Sequence, residues 1–262
     1  MIRTDFFLLT LVFGSLIINC SSFKYNLKQK AVNMKLSAGI LFDVDGTLSD
    51  SFQLGFDSTN AVLKRNGIEE ISADSYHQGT RYTTPTRLAW HVTGDTNNPI
   101  GEELGRQFDE LYVELVSPST AAFYDGMHQL LTEVKDKYPI VRYGALSNAC
   151  GAYVRAVLAA NNVDHIFEVQ LGADDVAAPK PHPDGLLKLV SLLDGLVPSK
   201  CIYIGDSPTD GQAATAAGML GIGVTWGSHS AESVAKSFKI VVHTIQELQD
   251  VIITQLKEIE HS

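Results

Sequence analysis

Short apolar runs bounded by turn residues recur along the chain, at Gly39 to Phe42, Ile140 to Leu146, Phe167 to Leu171, Cys201 to Ile204 and Gly221 to Thr225. Segments of helical period separate most of them. Such alternation argues for parallel strands joined by helical crossovers, so the fold class is α/β with a doubly wound parallel sheet. A last segment, from Ile245 to Ile259, sets Ile245, Leu248, Val251, Ile252, Leu256 and Ile259 on one helical stripe. It is predicted to close the sheet from one side.

The stretch between Phe42 and Ile140 is far longer than the roughly dozen residues that one crossover needs. An insertion is therefore predicted there, over residues 53–121. FQLGFDSTNAVLKRNG reads as a helix stopped by Gly67, and Ile100 to Val116 as another, with Leu104, Phe108, Leu111 and Leu115 at helical spacing. Between them, YHQGTRYTTPTRLAWHVTG breaks at Gly79 and Pro85 before a short helix. Residues 53–121 form a small helical cap in this reading, and residues 35–52 and 122–262 form the core. The core resumes with a helix from about Gly126.

The chain has 262 residues, of which 45% are hydrophobic, enough to bury a sizeable core. Its formal net charge of -10 argues against a nucleic-acid partner and for a small soluble substrate. The first 34 residues run against that charge, holding Arg3, Lys24, Lys28 and Lys30 against a single acid, Asp5. An uncharged run, Phe6 to Ile18, precedes the small residues Cys20, Ser21 and Ser22. This is the layout of a secretory signal peptide cleaved after Ser22, and the run is short for a membrane span of roughly 20 residues. No stable span is expected in the mature chain. The basic stretch from Phe23 to Met34 reads as a transit segment, which together with the signal resembles the bipartite leaders of complex plastids. Translation from Met34 would instead give a cytoplasmic protein. Beyond the leader the chain has only Cys150 and Cys201, at no metal-ligand spacing, which read as buried free thiols.

Ligands of open parallel sheets bind at the carboxyl ends of the strands. The first strand leaves into Asp43, Val44, Asp45, Gly46 and Thr47, the second into Ser147 and Asn148, and the strand from Cys201 into GDSPTD, with Asp206 and Asp210. Lys180 lies in APKPHPDG, ahead of a helix. Singly, these are ordinary turn and cap residues. Together they place four carboxylates, one ammonium, one hydroxyl and one amide at one sheet edge. Clustered carboxylates with room for phosphate and water suit Mg²⁺, and an ionised aspartate can attack phosphorus without a base to activate it.

With DVDGTLSDS, ALSN, the lysine of APKPHPDG and IGDSPTD in this order, the chain resembles the haloacid dehalogenase superfamily of phosphatases. The resemblance covers roughly residues 38–250. The cap position is similar to that of the subclass containing phosphoglycolate phosphatases and β-phosphoglucomutases, whose core is Rossmann-like. It implies Asp43 as nucleophile and metal ligand, and Asp45 as general acid and base with a backbone carbonyl on the metal. It further implies Ser147, Asn148, Lys180 and Gly46 around the phosphoryl group, and Asp206 and Asp210 completing the Mg²⁺ site.

Asp45 points to phosphoryl transfer, since dehalogenases of the superfamily lack an aspartate there. Gly55 stands where related mutases usually carry histidine, which favours a phosphomonoesterase such as phosphoglycolate phosphatase over a β-phosphoglucomutase-like transferase. The motifs would also serve a sugar-phosphate phosphatase, and the same fold could carry a non-catalytic binding module. Substrate choice is expected in the cap at Gly79, Thr80 and Arg81, with Arg81 pairing to a substrate carboxylate. His77 and His91 read as structural. The sequence sets no oligomeric state.

Overall fold

The computed structural model describes residues 38–261. The expected signal peptide, transit segment and Met34 start lie outside the described residues.

The chain opens with β1 (Gly39–Phe42), buried at every residue. Ile40 and Phe42 enter one core cluster and Leu41 the other, because successive side chains of a strand point to opposite faces. After β2 (Ser49–Asp50) come four helices, α1 (Phe52–Arg65), α2 (Ala73–Gly79), α3 (Thr84–Thr93) and α4 (Ile100–Glu114). β3 (Ala122–Phe123) then returns antiparallel to β2, so a two-stranded ladder ties the two ends of the helical insertion together. Within it α3 and α4 meet closely: a Cβ at Gly101 would fall 2.2 Å from the Pro85 carbonyl oxygen.

The remaining elements are α5 (Met127–Lys137), β4 (Arg142–Leu146), α6 (Gly151–Ala160), β5 (Val169–Leu171), α7 (Asp184–Leu192), β6 (Cys201–Gly205), α8 (Pro208–Ala217), β7 (Leu220–Val224), α9 (Ala231–Ala235), β8 (Ile240–Val242) and α10 (Ile245–His261). The six-stranded sheet runs in the order β5-β4-β1-β6-β7-β8, with every neighbouring pair parallel. This is the α/β, Rossmann-like sheet that the apolar runs predict. The chain builds outward on one side of β1 and then crosses to the other, so the strand order reverses at β1 and a crevice opens at its carboxyl end.

The predicted strands and helices are present with shifted ends; α2, α9, β2 and β3 are additional, and so is β8. Its three residues abut α10 and make too short an apolar run to stand out in the sequence. α10 buries Leu248, Ile252 and Leu256 from the stripe predicted for it. α8 starts at Ser207, whose side chain accepts from the backbone N–H of Thr209 while the Asp210 side chain accepts from the Ser207 N–H. Cys201 is a buried free thiol as expected, whereas Cys150 is free but only partly buried; desolvation raises Cys150 to about 11 and Cys201 to about 12, so both stay protonated near neutral pH. Among the described residues no helix is long and apolar enough to cross a membrane.

Leu41 is wholly buried at the centre of the sheet, whereas Leu192 is half exposed at the end of α7. Leu41→Ala is expected to cost about 2–5 kcal/mol in chemical denaturation, and Leu192→Ala less than about 0.5 kcal/mol.

Candidate active site

At the carboxyl end of β1 the backbone N–H of Asp43 still bonds to Ile204 O at 2.9 Å, so the sheet fixes this residue directly. The chain then turns at Gly46, whose φ of +76° suits a residue without a side chain. A Cβ there would lie 2.4 Å from Asp206 Oδ2, and one at Gly227 would lie 2.2 Å from the same atom. Two glycines from separate loops therefore let the carboxylate of Asp206 into the floor of the site. Ser228 donates its backbone N–H to that carboxylate at 2.8 Å.

Lys180 is the electrostatic centre of this floor. Only 5% exposed, it puts Nζ 2.5 Å from Asp43 Oδ1 and 2.7 Å from Asp210 Oδ1, with Tyr203 Oη at 3.1 Å. Burial works to lower its pKa, but Asp210 and Asp43 more than offset that and hold the ammonium above its ordinary pKa. Burial, then repulsion from Asp210, raises Asp43 well above the usual carboxylate range, while Lys180 pulls it back. Asp206, pushed by burial and then by Asp210, reaches about 7. The Asn148 side chain clamps the backbone of Lys180, its Nδ2 donating to Lys180 O and its Oδ1 accepting from Lys180 N, each at 3.0 Å.

Asp45 points across the same floor and is gripped on both oxygens. Oδ1 accepts from Ser51 Oγ and Tyr153 Oη, both at 2.6 Å, and from Tyr112 Oη at 3.2 Å. Oδ2 accepts from Ser147 Oγ at 2.9 Å. Tyr112 comes from α4 of the insertion and Tyr153 from α6 of the core, and the two rings stack at 4.0 Å with their hydroxyls 2.9 Å apart. Burial, then the Asp45 charge, raises both phenols well above their ordinary values, so they remain donors.

The structure thus brings Asp43, Asp45, Gly46, Ser147, Asn148, Lys180, Asp206 and Asp210 around one cleft. Asp43, Asp206 and Asp210 can each turn an oxygen to a common point, these atoms lying within 4.8 Å of one another. Asp210 is the most committed of the three. Its Oδ1 accepts from Lys180 and Tyr203, and its Oδ2 from Ser207 N.

The insertion roofs the cleft, and here the sequence expectation needs correcting. Thr80 lines the cleft, but Arg81 does not: it is exposed, with its guanidinium 4.8 Å from the Tyr82 ring centroid and 5.9 Å from that of Trp90. The turn after α2 carries it outward. Gly79 is buried and leaves room for its neighbours, since a Cβ would meet His91 Nε2 at 2.6 Å and Arg87 Cγ at 3.0 Å. The arginine of the cleft is Arg87, on the buried face of α3. His91 is a structural residue, as expected, kept neutral by burial and then by Arg87 at about 4. His77 joins insertion to core, its Nε2 lying 2.6 Å from Ser228 O.

Sequence reasoning did not single out Arg87, Tyr112, Tyr153 or Tyr203. Each had a usable signal, a polar tip on an otherwise buried stripe. Arg87 shares its helical face with Thr84 and Leu88, Tyr112 follows Phe108 by one turn, and Tyr203 sits inside the apolar run CIYIG. Buried groups of this kind must find partners.

A family model described as haloacid dehalogenase-like hydrolase matches residues 40–224. A phosphoglycolate phosphatase of Escherichia coli K12 is 33% identical over 235 residues, covering 82% of this chain and 90% of that protein. One of Yersinia pestis is 28% identical, covering 87% and 99%. Among solved structures, a haloacid dehalogenase-like hydrolase from Bacteroides fragilis is 26% identical with a TM-score of 0.72, covering 81% of this chain and 99% of its own. A β-phosphoglucomutase from Clostridium difficile, 20% identical with a TM-score of 0.68 over 85% and 98%, shares the fold. The sheet with its carboxyl-edge cluster, the family match and these relatives agree: the chain belongs to the haloacid dehalogenase-like hydrolases, as a phosphatase acting on phosphate monoesters.

Proposed function

We propose that this phosphatase hydrolyses a small phosphorylated metabolite, 2-phosphoglycolate foremost, through an aspartyl-phosphate formed on Asp43, and that it depends on Mg²⁺. The observation that carries this reading is the buried Asp43–Lys180 pair with Asp45 facing the same cleft. The free volume of the cleft, about 110 Å³, favours a compact ester. Relatives named phosphoglycolate phosphatase support the substrate.

The donor set fits Mg²⁺. Asp43, Asp206 and Asp210 are buried against one buried ammonium, and a divalent cation corrects that imbalance with the oxygen ligands it prefers. Asp43, Asp206 and the Asp45 backbone carbonyl would hold it, with Asp210 acting through Lys180. Bound there, Mg²⁺ supplies positive charge against the carboxylates and the phosphoryl oxygens.

An oxygen of Asp43 forms the bond to phosphorus as the bond to the ester oxygen breaks. Asp45 delivers a proton to that leaving oxygen, then takes one from the water that attacks the aspartyl-phosphate. The bond from phosphorus to Asp43 breaks, and inorganic phosphate leaves. Lys180 offsets charge on Asp43 throughout, and Ser147 with the backbone around Gly46 steadies the phosphoryl oxygens. A mutase is disfavoured by Gly55, which stands where related mutases usually carry histidine; a Cβ there would meet Tyr76 Oη, so a side chain would first have to displace that ring.

Hydrolysis of p-nitrophenyl phosphate is expected to require Mg²⁺ and to fall on the order of 10⁴-fold or more in Asp43→Asn. Activity surviving that change would overturn the nucleophile. Tyr153→Phe removes a 2.6 Å donor to Asp45 and should lower kcat by roughly three- to tenfold with KM little moved, as steady-state kinetics can check. Stability should respond to pH as well. Without metal, Asp206 has a folded pKa of about 7 against an ordinary 3.8, so its contribution to stability is present below about 3.8 and is lost as pH rises through 7. Mg²⁺ relieves that loss, so its addition should raise Tm more at about pH 8 than at about pH 6 in thermal melts.

A further inference from the structure

We propose that this protein has a second binding site, for a small organic cation of the alkylammonium class, in an aromatic-walled cavity where the helical insertion meets the core. The inference is independent of the substrate assigned above. The cavity measures about 310 Å³, at the lower end of ligand pockets, and its lining includes Asp50, Phe52, His77, Tyr124, Trp226 and Ser228. It touches neither Asp43 nor Lys180, and it shares only Phe52 and Ser228 with the active cleft. Its walls come from both parts of the molecule. Asp50 ends β2 and Tyr124 follows β3, at the two ends of the insertion, while His77 belongs to α2 and Trp226 to the loop after β7.

No lysine or arginine lines this cavity, and Asp50 is the acid that does. Among the described residues the Asp50 side chain makes no ion pair or hydrogen bond. Burial, then the charge of Asp50, then those of Asp206 and Asp45 raise the Tyr124 phenol above its ordinary pKa, so the same carboxylates set a negative potential at this wall. A metal in the cleft would offset Asp206 and Asp45 but leave Asp50 uncompensated. The rings come in two pairs, Tyr124 with Trp226 and Phe52 with His77, each with centroids 6.3 Å apart. The indole is fixed by Nε1 donating to Thr47 O at 3.1 Å, and the imidazole by Nε2 donating to Ser228 O at 2.6 Å. The only polar atom of the indole is thereby spent, which leaves its π surface. Aromatic surface beside an unpaired carboxylate suits a cation whose charge is spread over alkyl groups, because ring quadrupoles attract it and it gives up little hydration on entry. A metal ion needs several oxygen ligands, and an anion would meet negative potential.

The test is a titration of Trp226 fluorescence in Trp90→Phe protein, where Trp226 is the remaining indole, with Mg²⁺ saturating and sodium chloride holding ionic strength constant. It is run at about pH 8, where imidazoles are generally neutral. The probes are choline and its neutral isostere 3,3-dimethyl-1-butanol. Choline is expected to saturate the signal with a Kd of about 1 mM or tighter, at least about tenfold below that of the isostere. Calorimetric titration of the unsubstituted protein should return the same Kd for choline. Asp50 is exposed, so Asp50→Asn removes the charge and keeps the shape of the cavity. It should weaken choline by at least about fivefold and leave the isostere within about twofold. Equal affinity for the two probes makes the cavity a plain apolar crevice and overturns the proposal. So does choline binding that Asp50→Asn leaves unchanged, or that calorimetry detects without a response from Trp226, since the cation then sits elsewhere. No binding of choline by either method up to about 50 mM overturns it as well.

Discussion

The ion cluster beneath the cleft is the constraint on which the rest of the structure depends. Asp43, Asp206 and Asp210 are driven together at the carboxyl edge of a buried sheet, where repulsion between them is least screened. Lys180 makes this tolerable by lying between Asp43 and Asp210, within 2.7 Å of each. Everything nearby serves to hold that lysine in place. Asn148 clamps its backbone, Tyr203 and Leu146 O accept from its Nζ, and the capping geometry of α8 fixes Asp210. Opposed charges in a dry site are worth their desolvation only when each is fully partnered.

Asp45 differs from Asp43 in what surrounds it. Asp43 is held by the sheet and the lysine, whereas Asp45 is held by hydroxyls contributed from three directions. One of them, Tyr112, belongs to the helical insertion, so the environment of Asp45 depends on the insertion being seated on the core. His77 against Ser228 O and the β2–β3 ladder add further ties between the two parts. The surroundings of the core carboxylates and the seating of the roof are thereby coupled through side-chain contacts as well as through the backbone ladder.

Much of this was legible in the residues themselves. β1 and β6 stand out because central parallel strands are buried on both faces and so read as unbroken apolar runs. The carboxyl-edge residues stand out because they follow those runs immediately. β8 did not, being three residues long, and the β2–β3 ladder did not, since it pairs short segments far apart in the chain. In the roof, a glycine break pointed to Arg81, whereas the buried arginine is Arg87. Loop position says little about where a long side chain points. The face of an amphipathic helix says more, and Arg87 lies on the buried face of α3.

By itself the sequence determined the α/β class, the insertion after the first strand and the identity of the carboxylates and lysine at the sheet edge, because each is encoded by residue type and local spacing. Tertiary structure alone decided which oxygens Lys180 bridges, which tyrosines grip Asp45 and which arginine enters the cleft. Those contacts join residues from 30 to more than 100 positions apart. Their geometry is set by how helices pack on the sheet, and no local pattern carries it.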